Sequence, residues 1–203
     1  MHRRSVAVAL ALVLASAVAG CKKQRRRGGE STSSPARAPG PLELTPADLP
    51  PCQGPDCLPD LVLDGHDGTR IETAALRGQV VVVLFCAVWA GPCGPQTKLL
   101  SELARRSQER GLVAIIMMVH EGLVDDLAKW GSLHAVSLPM VRTDDALLRK
   151  FGQISVLPTW LLYGRDGHLL EMQNGSSDDL EPQITRALAA PFVWRAGRAA
   201  PTR

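Results

Sequence analysis

The chain has 203 residues, of which 45% are hydrophobic and 21% charged, a composition typical of a globular protein rather than a disordered one. Its length leaves room for one ordinary domain and its tails. The formal net charge is +3, but residues 1–41 hold eight Lys/Arg against one Asp/Glu, whereas the remainder holds 15 against 19. The folded part is therefore mildly acidic, so no basic groove is implied.

Residues 1–20 are predicted to be a secretory signal. A basic start is followed by an apolar stretch, Val6 to Val18, that is too short for a comfortable membrane span and ends in small residues. Cys21 comes directly afterwards, and the sequence around it resembles a bacterial lipobox. That resemblance implies that Cys21 is lipidated and becomes the mature N-terminus. We therefore expect an exported protein, held by its lipid anchor on a bacterial membrane and facing the periplasm or the cell exterior.

Residues 21–50 are predicted to be a linker. This stretch is basic and rich in Pro, Ser and Gly, so it cannot bury enough apolar area to fold. Its positive charges could contact anionic headgroups beside the anchor. They could instead bind nucleic acid, but the predicted export argues against that partner. The expected folded domain comprises residues 51–190, and the Arg/Ala/Pro-rich residues 191–203 are expected to be a flexible tail.

Cys52 and Cys57 bracket a Gly-Pro turn at the start of the domain. A structural disulfide is the preferred interpretation, because two cysteines this close can close a small loop in an oxidising compartment. A redox pair that exchanges with the core is the alternative. A metal site is disfavoured because His66 is the nearest histidine and no further cysteine has ligand spacing.

The next elements predict a β-hairpin and then a buried strand. Residues 61–63 and 69–71 alternate around an Asp-Gly turn, and residues 74–78 form a short helical turn. The β-branched run from Val80 to Phe85 is typical of a strand buried on both faces. An amphipathic helix follows and should end near Gly111, which places Cys93 close to the helix N-terminus. The helix dipole and the unpaired backbone N–H groups there are expected to lower the pKa of a thiol.

The remainder of the chain alternates between apolar runs and helical patterns. This alternation predicts an α/β fold with a central mixed sheet and a right-handed crossover. Asp144 is the expected N-cap of one helix, and His134 is taken as an ordinary surface or packed histidine. The expected elements are a strand at 112–119, helices at 121–134, 144–151 and 178–189, and strands at 138–141, 160–163 and 169–172.

Two motifs resemble the thioredoxin family, and most closely its envelope-facing thiol–disulfide oxidoreductases, which include cytochrome-maturation proteins. Residues 85–93 read Phe-Cys-Ala-Val-Trp-Ala-Gly-Pro-Cys, where that branch usually reads F-W-A-x-W-C-G-P-C. Residues 151–162 resemble the second signature, tyrosine-glycine, then V-P-T, then F-L-I. The resemblance covers roughly residues 58–188. It implies a thioredoxin-like fold with an N-terminal β-hairpin, in which the peptide bond before Pro158 is cis and faces the active-site turn.

The first motif lacks the residue on which the family's chemistry depends. Ala90 stands where the attacking cysteine belongs, Cys93 matches the resolving cysteine, and Cys86 replaces a tryptophan. Dithiol exchange needs two thiols, so the usual cycle cannot run through this motif. Leu84 and Gln96 stand where the family often has acids, which removes further acid–base capacity.

Three functions remain open. The first is a non-standard thiol–disulfide oxidoreductase in which Cys93 works with Cys86 or Cys57, provided that the Cα atoms lie within about 7 Å. The second is a non-catalytic module that binds an extended polypeptide by strand-like pairing. The third is a thiol peroxidase that forms a sulfenic acid at Cys93. The groove expected for the second function consists of Trp89, Ala90, Gly91, Pro92, Leu157 and Pro158.

The expected partner is an envelope protein that offers thiols or an extended segment. The sequence has no haem-attachment motif, no glycine-rich nucleotide loop and no metal-spaced cluster. No cofactor and no metal are therefore expected.

Overall fold

The structure is a computed structural model and describes residues 49–119, 127–176 and 178–192. The predicted signal, Cys21 and nearly all of the linker lie outside the described residues. So do residues 121–126 of the predicted 121–134 helix, and nearly all of the predicted tail. Among the described residues, no helix combines the length and apolar character needed to cross a bilayer.

Within the described residues, seven strands form two sheets. A two-stranded antiparallel hairpin precedes a five-stranded mixed sheet with the order β5-β4-β3-β6-β7. In the larger sheet β3 pairs parallel with β4 and antiparallel with β6, and β4 pairs parallel with β5. The strands are β1 (Val62–Asp64), β2 (Arg70–Glu72), β3 (Val80–Cys86), β4 (Leu112–Val119), β5 (Met140–Thr143), β6 (Thr159–Tyr163) and β7 (Leu169–Asn174).

The helices pack against this sheet. They are α1 (Cys93–Ser107), α2 (Leu127–Leu133), α3 (Asp145–Leu148) and α4 (Leu180–Ala189), with short 3₁₀ turns at Thr73–Leu76, Gln108–Arg110 and Arg149–Phe151. The sequence prediction of an α/β fold with a central mixed sheet and an N-terminal hairpin is confirmed.

Strand β3 is the middle strand of the five-stranded sheet, and all seven of its residues are buried. Successive side chains of a strand point to opposite faces. One set, which ends at Cys86, shares a core with α1 and α4, whereas the other set, which includes Phe85, packs with the hairpin on the opposite face. The alternation therefore directs Cys86 towards the face that α1 covers.

Element boundaries follow local signals. Helix α1 ends at Ser107, and a 3₁₀ turn carries the chain to Gly111, whose φ of 82° is a left-handed conformation that glycine adopts readily. The N-cap prediction is confirmed, because Asp144 Oδ1 accepts a 2.7 Å hydrogen bond from Leu147 N. The strand predicted at 138–141 runs instead from Met140 to Thr143, where it pairs with β4.

Candidate functional site

The turn between β3 and α1 carries a disulfide. Cys86 is the last residue of β3 and Cys93 is the first residue of α1, and their sulfurs are bridged with a Cα–Cα distance of 5.6 Å. The intervening segment is held tightly, because Ala90 N donates to Ala87 O at 3.1 Å and Cys93 N donates to Ala90 O at 2.9 Å. These two bonds fold the turn back so that the two thiol positions meet.

A cis peptide bond lies at the same end of the sheet. The Leu157–Pro158 bond is cis and directly precedes β6. Because Thr159 pairs with Phe85 across the β3–β6 ladder, Pro158 lies level with Cys86 at the end of β3. Thr159 Oγ1 anchors this loop by donating to Val156 O at 2.7 Å, and it also lies 2.9 Å from Asn174 Oδ1.

The surface around this turn is apolar, and the sulfur atoms lie beneath it. Trp89 is 69% exposed, whereas Cys86 and Cys93 are both 0% exposed. Gly91 and Pro92 are also exposed, Leu157 is half-buried, and Ala90 and Pro158 are buried. Thiol–disulfide exchange requires a thiolate to reach a disulfide sulfur. In this closed arrangement no thiolate from outside can reach either sulfur.

The polar groups close to the disulfide are neutral. Leu84 and Gln96 are buried, and the first turn of α1 holds no acidic residue. Thr97 Oγ1 donates to Cys93 O at 2.9 Å, which keeps the start of the helix tightly wound. Proton transfer by a neighbouring carboxylate therefore has no candidate at this first turn.

His134 is a residue that sequence reasoning undervalued. Its ring contacts Trp130, with 4.6 Å between centroids and 52° between the ring planes, and lies directly against Gly94, where a Cβ atom would collide with the imidazole. It is a packed histidine, but its contact is with the first turn of the helix that carries Cys93. No sequence signal links it to that turn, because 40 residues separate His134 from Gly94.

A second disulfide joins Cys52 to Cys57, with a Cα–Cα distance of 5.7 Å. In the fold the histidine beside this pair is His168, not His66, which is the nearest histidine in the sequence. His168 Nδ1 is 3.3 Å from Cys52 Sγ and 3.9 Å from Cys57 Sγ. An isolated antiparallel bridge between Cys57 and His168 brings them together across 111 residues of sequence, and linear spacing holds no trace of it.

In the described part of the chain, Cys52, Cys57 and His168 also form a group of side chains that lie close enough together to bind a metal ion. The two sulfurs and the imidazole nitrogen lie within 4.8 Å of one another. Thiolates, not disulfide sulfurs, are the ligands that bind metals. With Cys52 and Cys57 bridged, the cluster is not a thiolate metal site, and disulfide chemistry is the property to consider.

The two disulfides lie at opposite ends of the sheet. Strand β6 starts at Thr159 beside Phe85 and ends at Tyr163 opposite Val81, and His168 lies beyond that far end. At roughly 3.3 Å per residue, the four steps from Thr159 to Tyr163 alone span about 13 Å. This exceeds the Cα separation of about 7 Å that a disulfide tolerates. The proposed pairing of Cys93 with Cys57 is therefore corrected, because the sheet holds the two residues apart.

Comparison with known proteins gives three kinds of likeness. A family model described as the AhpC/TSA family matches residues 55–171. The thiol-disulfide oxidoreductase ResA of Bacillus subtilis (strain 168) is 24% identical over 118 residues, which cover 58% of this chain and 65% of the relative. The match thus spans slightly less than two thirds of that relative's length.

Two solved structures show the same fold. A thiol:disulfide interchange protein of the thioredoxin family from Chlorobium tepidum TLS has a TM-score of 0.60 at 21% identity, and the match covers 68% of this chain and 99% of that one. A secreted disulfide oxidoreductase of Mycobacterium tuberculosis has a TM-score of 0.55 at 16% identity, with 63% and 96% covered. The thioredoxin-like fold expected from the two motifs is confirmed.

Proposed function

The chain belongs to the AhpC/TSA family, and from that membership and its thioredoxin-like fold we propose that it is an exported thiol–disulfide oxidoreductase whose redox pair is Cys86 and Cys93. The observation that carries this proposal is the bridge between these two residues at the turn from β3 to α1, beside the cis peptide before Pro158. The names of similar proteins support the same class, since they describe oxidoreductases of thiols and disulfides.

In this proposal Cys86 supplies the second thiol that the thioredoxin motif lacks at Ala90. A substrate thiolate attacks Cys86 Sγ, the Cys86–Cys93 bond breaks, and Cys93 leaves as the thiolate. Cys93 is the better leaving group because it is the first residue of a 15-residue helix, where the helix dipole favours an anion. A second substrate thiol then displaces Cys86, so two electrons pass from the substrate dithiol to the protein pair.

Burial makes this exchange slow. Both sulfurs are covered, so attack must await opening of residues 87–92, the segment between the two cysteines. The redox activity is therefore weaker than that of a thioredoxin with an exposed attacking thiol.

We also propose that the protein is located in the cell envelope. Cys21 is the lipid anchor, the basic linker rests near a membrane surface, and the domain faces an oxidising compartment where disulfides persist. The Mycobacterium tuberculosis protein of the same fold is described as secreted, which supports export. The partner is an envelope protein with thiols.

The test isolates the buried pair. The full exported chain carrying Cys52→Ser and Cys57→Ser is equilibrated in glutathione buffers of graded ratio, and remaining thiols are alkylated and weighed by mass spectrometry. We expect a reversible two-electron transition of Cys86 and Cys93 in the folded protein. A pair that becomes reduced only in denaturant would overturn the proposal. Cys93→Ser in the same background is the matched control, which cannot form the intramolecular bridge.

A polypeptide-binding module is the second candidate, and one observation favours it. Trp89 is 69% exposed beside the turn while the two cysteines are covered, so this surface is better suited to contact than to exchange. An extended segment would lie across this groove and pair as a strand does. Trp89→Ala and Pro158→Ala should each weaken capture of unfolded peptides, and Cys52→Ser, at the opposite end of the sheet, should leave capture unchanged. Equal capture by all three variants would refute this candidate.

The peroxidase hypothesis has less support. It needs an accessible thiolate at Cys93, whereas Cys93 is buried and bridged to Cys86.

A further inference from the structure

The second disulfide differs from the first in its surroundings. Cys52 and Cys57 are half-buried, and the four residues between them are exposed, so the bridge lies at the surface of the domain. His168 lies at the surface beside it, with Nδ1 at 3.3 Å from Cys52 Sγ. An imidazole at that distance from a sulfur is the arrangement by which proteins stabilise a reactive thiolate.

The bridge is not needed to attach the N-terminal arm to the sheet. Backbone hydrogen bonds already do so, because Leu58 N donates to Gly167 O at 2.9 Å and Leu169 N donates to Asp56 O at 2.8 Å. The sequence separation of the two cysteines is only 5, and the entropic gain from a disulfide falls with the length of the loop that it closes. The backbone pairing fixes the position of residue 168, but neither that pairing nor a purely structural disulfide requires an imidazole there.

Cys52 is brought against the turn between β6 and β7 at Gly167. A Cβ atom on Gly167 would lie 3.2 Å from Cys52 Cβ, and the φ of +80° is one that glycine adopts readily. Glycine thus permits the close approach that puts Cys52, rather than Cys57, nearest to the imidazole. The two sulfurs are consequently inequivalent.

We propose that Cys52 and Cys57 form a second redox site, independent of Cys86–Cys93, that accepts two electrons from exported protein dithiols with His168 as its acid. A substrate thiolate attacks Cys57 Sγ, and the Cys52–Cys57 bond breaks. Cys52 leaves with the electron pair and takes a proton from the imidazolium of His168. The second substrate thiolate attacks the substrate sulfur of the mixed disulfide, and Cys57 leaves and takes a proton from solvent.

The balance closes. The substrate loses two protons and two electrons and becomes a disulfide, Cys52 and Cys57 become thiols, and the imidazole regains its proton from the solution that received the substrate protons. In the reverse direction Cys52 is the attacking thiolate, stabilised by His168.

The test uses the full oxidised chain and a synthetic peptide with two cysteine thiols as the substrate probe. Samples are quenched with acid, alkylated and digested, so that mass spectrometry reads each disulfide separately. We expect His168→Ala to slow reduction of Cys52–Cys57 at neutral pH by about tenfold, because the leaving thiolate loses its acid. The rate at Cys86–Cys93 should not change in the same samples.

His66→Ala is the matched control, since His66 is exposed and belongs to the hairpin turn between β1 and β2. The fold should survive His168→Ala because the contacts that place residue 168 are made by its backbone, including Gly164 N to His168 O at 2.9 Å. In a second measurement, on the fully reduced wild type, Cys52 should be alkylated at least fivefold faster than Cys57, and His168→Ala should abolish the difference.

Unchanged reduction of Cys52–Cys57 in His168→Ala would overturn the inference and leave a structural staple. Failure of the Cys86–Cys93 pair to react would instead count against the proposed function alone, because the two bridges are read independently.

Discussion

Dithiothreitol should reduce the Cys86–Cys93 bridge far more slowly than the Cys52–Cys57 bridge of the same native molecule. The reason is access: Cys86 and Cys93 are 0% exposed, whereas Cys52 and Cys57 are only half-buried. A reagent must wait for residues 87–92 to open before it can attack the buried pair.

The opening cost follows from the contacts that close this segment. Opening breaks the two backbone hydrogen bonds at Ala90 N and Cys93 N, each with a net contribution of about 1 kcal/mol. It also exposes the methyl groups of Ala87 and Ala90, which are 0% and 9% exposed, at about 0.8 kcal/mol each. The total is roughly 3.5 kcal/mol, and since 1.4 kcal/mol is a factor of ten, reduction should be slowed by about 300-fold.

The assay is a time course of reduction, stopped by acid and alkylation, in which peptide mass spectrometry follows both bridges in one tube. The Cys52–Cys57 bridge is the internal reference, and sub-denaturing urea should accelerate only the Cys86–Cys93 reaction. Rates within tenfold of each other would refute the reasoning, because they would mean that the turn is open for a large fraction of the time.

Three further outcomes are expected. Ala90→Cys combined with Cys86→Ala restores two thiols with the thioredoxin spacing at the start of α1, so reduction of insulin disulfides should rise at least tenfold over Cys86→Ala alone. Tyr163 is the only tyrosine of the chain, and burial together with the charge of Asp56 raises its pKa above the usual value of 10. Its contribution to the free energy of unfolding should be fully present below pH 10 and should fall as the pH rises above 10. Unfolding curves at alkaline pH should show a smaller fall for Tyr163→Phe than for the wild type. Asp144→Ala should lower the free energy of unfolding by about 1 kcal/mol in urea, whereas Asp144→Asn, which keeps a cap acceptor, should cost much less.

Much of the fold could be predicted because its signals are local. A β-branched run with no polar residue predicted the central strand, and the change to a helical period after Pro92 placed Cys93 at a helix start. Alternation along β3 then fixes which face Cys86 occupies, since every second side chain of the strand faces α1.

The features that were missed depend on long-range pairing. His168 meets Cys57 only because β6 and β7 turn back beside the N-terminal arm, and no spacing rule connects residues 111 positions apart. The separation of Cys57 from Cys93 likewise follows from the β3–β6 register, which a list of cysteines does not contain. Burial of both sulfurs beneath an exposed Trp89 is a property of packing, which linear sequence does not specify.

The Cys86–Cys93 bridge itself helps to keep residues 87–92 closed over the two sulfur atoms. Its sequence separation is 7, so it closes a loop of eight residues, and the chain-entropy model assigns such a loop about 2.5 kcal/mol. This is comparable to the roughly 3.5 kcal/mol that the local contacts of the turn supply.

Once the bridge is reduced, residues 87–92 lose that constraint and should open more often than in the oxidised protein. Closure of residues 87–92 therefore slows reduction of the oxidised pair more than it slows oxidation of the reduced pair. Alkylation of Cys93 in the reduced protein should thus be less strongly accelerated by sub-denaturing urea than reduction of the bridge is. A stronger acceleration of alkylation would show that the packed core, rather than the covalent loop, closes the site.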